Sequence, residues 1–177
     1  ITIEKQIKFL TTKLLLILLF LSNLLGAQEE TTLPDWKQGY LDIHHINSGM
    51  GDCTFFVFPD GTTMLFDAGE MDITNTRSNS PRNTKQKPDA TITPGEWMAV
   101  YIQKILEKLP KNQIDYAAIS HFHDDHMGKP HPLSPNSKWG KYKLTGITTI
   151  GEKIKIKKLL DRAWPEYDYP MPLSNPM

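Results

Sequence analysis

Between residues 40 and 160 the spacing of apolar positions changes several times, and each change marks an element. Leu41 to Ile46, Cys53 to Phe58 and Thr63 to Phe66 are short β-rich runs. They are separated by Asn47-Ser48-Gly49-Met50-Gly51-Asp52 and Pro59-Asp60-Gly61, both rich in turn formers. Three strands are predicted, the second and third joined as a hairpin. In Cys53-Thr54-Phe55-Phe56-Val57-Phe58 both alternate sets are mostly apolar, which predicts a strand covered on both faces. From Glu70 to Thr93 the chain is polar and without period, a long surface loop of the kind that is functional or disordered. Thr93-Pro94-Gly95-Glu96 then has the pattern of a capping box, and Met98, Ile102, Ile105 and Leu109 recur at helical spacing up to Pro110. Ile114 to Ile119 reads as a continuous apolar strand that delivers the chain to a histidine cluster. Beyond Pro130 one segment alternates, Lys153-Ile154-Lys155-Ile156-Lys157, and predicts a half-buried strand.

Composition adds constraints. The 177 residues are 39% hydrophobic, 23% charged and 10% aromatic, as in an ordinary folded domain, and the length suits one domain. Twenty basic residues against twenty acidic ones leave no global attraction to nucleic acid or to an anionic membrane. Trp36, Trp97, Trp139 and Trp164 are scattered, and no interleaving with basic residues points to stacked bases. Cys53 is the single cysteine, so no intramolecular disulfide holds the fold.

The first 27 residues read differently. Lys5, Lys8 and Lys13 precede an apolar run from Leu14 to Leu21, followed by Ser22-Asn23-Leu24-Leu25-Gly26-Ala27. This is the order of a secretory signal peptide, with cleavage expected after Ala27. The run falls short of the roughly 20 apolar residues of a permanent span, although an uncleaved anchor is the alternative. The body is therefore expected in the periplasm or outside the cell, in contact with membrane only through this segment. Residues 28–39 read as a linker and 40–177 as the domain, in which Cys53 is expected to be buried and inert.

The chemistry is concentrated in Ser120-His121-Phe122-His123-Asp124-Asp125-His126-Met127-Gly128. Imidazole and carboxylate ligands crowded at one point suit borderline divalent metals such as zinc. His121 and His123, two apart at a strand end, lie on one side and can chelate one ion. Asp125 and His126 follow where the chain turns and are placed to hold a second ion. Two ions about 3.5–4 Å apart would activate water and polarise a substrate oxygen together. A binding-only metal site and a histidine-rich surface loop are the rival readings of the same residues.

His-x-His-x-Asp-His after an apolar strand, preceded by a hairpin ending in Phe66-Asp67-Ala68-Gly69, resembles the metallo-β-lactamase superfamily over residues 40 to 130. Gly49-Met50-Gly51-Asp52, Pro59-Asp60-Gly61 and Asp67-Ala68-Gly69 are most similar to the hydrolase domains of DNA-uptake competence proteins. The resemblance implies an α/β fold, an αββα sandwich. It implies that His121 and His123 bind a first metal and Asp125 and His126 a second, with Asp67 ordering the site. It further implies a dinuclear, zinc-type hydrolase in which metal-activated hydroxide, oriented by Asp125, attacks an ester, amide or phosphodiester bond. The substrate is then a small molecule or a phosphodiester, without a strong nucleic-acid signature. A non-catalytic metal- or partner-binding module and a secreted β-lactamase are the alternatives.

The family pattern also needs a histidine, a bridging aspartate and a final histidine downstream, and no histidine follows His131. The domain is therefore expected to be an N-terminal half, truncated at its C-terminus. His44 and His45 read as strand histidines, Asp52 as a turn cap that could reach the metal edge, and His131 as a residue without a ligand role. Lys153, Lys155, Lys157 and Lys158 read as a solvated strand face rather than a strip for an anion.

Overall fold

The computed structural model describes residues 12–13, 33–72, 74–162, 164–168 and 172. The chain divides into two units, Ile1–Pro34 and Asp35–Met177. Apart from Thr12 and Lys13, the expected signal segment lies outside the described residues, as do linker residues 28–32. Among the described residues no helix is long and apolar enough to cross a membrane. Everything below concerns the second unit.

Its elements follow in the order β1 (Asp42–His45), β2 (Thr54–Val57), β3 (Thr63–Phe66), α1 (Pro94–Leu106), β4 (Ile114–Ala118), α2 (Asp124–Met127), α3 (Gly146–Lys153) and β5 (Ile156–Leu160). The strands form one sheet in the order β1-β2-β3-β4-β5. β1, β2 and β3 pair antiparallel through short turns, whereas β3, β4 and β5 pair parallel. Parallel neighbours need crossovers, and α1 and α3 supply them. The protein is thus an α/β domain with a mixed five-stranded sheet.

The core lies between sheet and helices. Phe55, Val57, Leu65, Ile114 and Ala117 face Met98, Ala99 and Ile102 of α1 and Ile147 and Ile150 of α3. α1 starts where its sequence predicts, since Thr93 Oγ accepts from the Glu96 amide at 3.2 Å and the Glu96 carboxylate accepts from the Thr93 amide at 3.1 Å. Residues 35–39 lie against the sheet end: Gly39 N donates to Pro59 O, and Trp36 packs on the core cluster.

Two expectations are corrected. β2 buries only Phe55 and Val57; Phe56 lies on the opposite face, in a cross-strand row with Ile43, Met64, Tyr116 and Lys158. Among the described residues no helix covers that face, and Ile43, Phe66 and Tyr116 are 50%, 41% and 38% exposed. The alternation of Lys153 to Lys157 is not a strand: Lys153 ends α3, Ile154 is buried behind it, and pairing begins at Ile156. The lysines there are largely engaged within the fold, Lys153 with Glu96, Lys157 with Asp115 and Lys158 over the Tyr116 ring.

Candidate metal centre

The site forms where β3 and β4, parallel neighbours, end side by side, the edge at which α/β sheets gather ligands. Immediately after β3, Asp67 takes a left-handed conformation at φ 57° and is 2% exposed. Its amide donates to Ala118 O at 2.9 Å, which locks it to the end of β4. Its carboxylate then accepts from Ser120 N at 2.8 Å and from Ser120 Oγ at 2.7 Å. The same carboxylate lies 2.8 Å from Nδ1 of His126, where the chain has turned through the short helix α2.

That bond leaves His126 Nε2 facing outward, 3.8 Å from Asp125 Oδ2 and 3.7 Å from Asp52 Oδ2. Among the described residues His121, Asp125 and His126 bring one ligand atom each within 4.8 Å of one another. The His121 and His126 rings lie 3.9 Å apart between centroids. His123 stands beside them, with its Nδ1 3.1 Å from His121 Nε2. Three of the four expected ligands, His121, Asp125 and His126, therefore meet at one place, while His123 adjoins His121 outside that group.

Glycines let three loops interlock beneath these side chains. Asp52 N donates to Asp125 O, Gly69 N to Asp52 O and Ala68 N to His126 O, at 2.7, 2.8 and 2.7 Å. A Cβ on Gly69 would overlap the Asp125 carbonyl, and one on Gly51 would overlap Gly69. The loop carrying Asp125 and His126 is thus positioned by main-chain contacts.

Electrostatics favour charge at His126. Burial opposes its protonation, but the Asp67 hydrogen bond and the negative charges of Asp67, Asp125 and Asp52 together outweigh this and raise its pKa.

Glu70 and Ser120 are site residues that sequence reasoning did not single out. Glu70 is 2% exposed, and its Oε2 accepts from Gly95 N at 2.9 Å and from Gly146 N at 2.8 Å. It ties the first turns of α1 and α3 to the loop after Asp67. Burial raises its pKa, against the pull of those two amides. The available signal was an acidic residue directly after Asp67-Ala68-Gly69.

The weaker candidates separate. His44 lies inward with Nδ1 3.1 Å from Tyr101 Oη, and His45 is exposed beside Thr54. His131 is buried, its amide donating to Ser134 Oγ and its Nδ1 accepting from Leu133 N. Asp52 presents its carboxylate to His126, so it borders the cluster.

The chain matches no protein-family model, no curated protein and no solved structure. Function therefore has to be argued from the donor set. Two imidazoles and a carboxylate, with one imidazole oriented by a buried carboxylate through its other nitrogen, have the chemistry of a divalent-metal site.

Proposed function

We propose that this domain is an exported metal-dependent hydrolase of the metallo-β-lactamase type, acting on an ester, amide or phosphodiester bond. Two divalent ions, with zinc the first choice for mixed imidazole and carboxylate ligation, would be held by His121, His123, Asp125 and His126. The observation that carries this reading is the convergence of His121, Asp125 and His126 on one point, with Asp67 bonded behind His126.

Held by these residues, divalent ions would lower the pKa of a water to about 7 and polarise the substrate oxygen. The protein's own residues do the rest. Asp67 holds the His126 ring so that its Nε2 lone pair faces the cluster. Asp125, half exposed at the rim, would accept a hydrogen bond from the attacking water and aim it. Asp52 adds negative charge on the opposite side of His126.

The sheet face left open among the described residues fits this reading. Ile43, Phe56, Met64, Phe66 and Tyr116 form the surface that a second sheet would bury in an αββα sandwich.

Metal content per chain is the decisive measurement, made on the protein and on a His121→Ala, His123→Ala double variant. About two equivalents in the protein, lost in the variant, followed by turnover of a phosphodiester, lactone or β-lactam, is the expected result. Absence of metal from both proteins would overturn the proposal, and metal uptake without turnover would reduce the site to a binding module.

A further inference from the structure

The β4–β5 pair brings a second set of residues to the edge where the histidines stand. Ala118 is aligned with Leu160, and Ile119 N donates to Leu160 O at 2.9 Å, so the segment after β5 leaves the sheet beside Ser120 and His121. There the Arg162 guanidinium carbon lies 5.6 Å from the centroid of the Phe122 ring, and Phe122 stands between His121 and His123 in the chain. Tyr167 approaches Phe122 at 6.2 Å and Trp164 at 6.3 Å between ring centroids. Asp161 clips the segment together, accepting from Trp164 N at 2.8 Å and from Tyr167 Oη at 2.7 Å.

Two features of this ledge stay open to solvent. Trp164 is 77% exposed, which leaves most of its indole surface in water. Arg162 is exposed, with its guanidinium carbon over the Phe122 ring. An indole face stacks on a planar ring, and a guanidinium fork takes phosphate oxygens in pairs.

We infer that Trp164 and Arg162, backed by Tyr167 and Phe122, bind a planar aromatic ring carrying a phosphate, and so recognise the substrate of the adjacent histidine cluster. This rests on the hydrolase reading for its purpose, but the ledge binds without the ions. Adenosine monophosphate and phenyl phosphate share the required chemistry, the one from a nucleoside and the other from a simple aryl ester.

The test is a calorimetric titration of the whole chain, with a chelator present, using adenosine monophosphate, phenyl phosphate and ribose 5-phosphate. The expected result is saturable binding of one or both aromatic phosphates, about tenfold or more tighter than ribose 5-phosphate. The tighter of the two tells which source the ledge prefers. Trp164→Ala should abolish the advantage over ribose 5-phosphate, and Arg162→Gln should weaken all three phosphates. Both side chains are exposed, so the variants keep the fold, which circular dichroism verifies. Equal affinity for ribose 5-phosphate, or no saturable binding of either aromatic phosphate, overturns the inference. Metal content, measured on the same preparations, decides the hydrolase reading separately, since neither variant removes a ligand.

Discussion

Asp67 and His126 are joined by a 2.8 Å contact between carboxylate and Nδ1, and Asp67 is itself nearly sealed from solvent. One ring nitrogen is thereby committed to the protein interior and the other offered to the cluster. Partners of this kind fix the tautomer and raise the basicity of a metal-binding histidine.

Replacing Asp67 by Asn should therefore lower zinc affinity roughly 10- to 100-fold without removing any ligand. Competition with a chromophoric chelator reads this directly. An affinity within about threefold of the unsubstituted protein would show that His126 is oriented by something else.

Glu70 predicts an unusual pH dependence of stability. Its pKa is raised chiefly by burial, so the folded chain holds that proton more tightly than the unfolded chain does. Its contribution is fully present below the ordinary glutamate value of about 4.3 and is lost as pH rises through the higher folded value. Glu70→Gln keeps an acceptor for Gly95 and Gly146 but cannot ionise. Urea unfolding across that window should show the unsubstituted chain losing stability relative to the Gln variant as pH rises. Glu70→Ala, which strands two amides, should cost about 2–4 kcal/mol at low pH and less as pH rises through the folded value. A difference between Glu and Gln that does not change with pH would contradict the account.

Gly69→Ala places a methyl group where the Asp125 carbonyl lies. The loop of Asp125 and His126 would have to move, at a cost of roughly 1–3 kcal/mol or more. Denaturant titration and metal binding should both be impaired. Loss of stability with metal binding intact would mean that the loop shifts as a rigid piece.

Cys53 should be silent towards thiol reagents. It is buried directly before β2, and burial, followed by the charges of Asp67 and Asp52, pushes its thiol far above the usual range. A disulfide exchange reagent at pH 8 should label it only after denaturant is added. Rapid labelling of the native chain would show that the sheet end opens.

Much of the site region can be read from residue order because local signals and tertiary packing agree there. The capping box at Thr93 and the turn formers around Gly61 mark element ends that long-range contacts do not override. α3 escaped notice because Gly146-Ile147-Thr148-Thr149-Ile150-Gly151 is rich in glycine and β-branched residues, poor helix formers that are held helical by burying Ile147 and Ile150 against the core. The lysine alternation misled because an apolar residue every second position also fits a helix end followed by a strand start. The pairing of Arg162 with Phe122 had no local trace, since it exists only through the β4–β5 register. Glu70 was hidden for the same reason, as one of its partners, Gly146, lies 76 residues away.

Asp67 and Ser120 are 53 residues apart, and the ladder that unites them is the parallel pairing of β3 with β4. Closing so long a loop is entropically slow compared with zipping the β2–β3 hairpin. The histidine cluster is therefore expected to form late in folding, after the β2–β3 hairpin. If the cluster holds an ion as proposed, its capture at His126 would report a finished domain, and an ion supplied early would meet only scattered histidines with no Asp67 behind them.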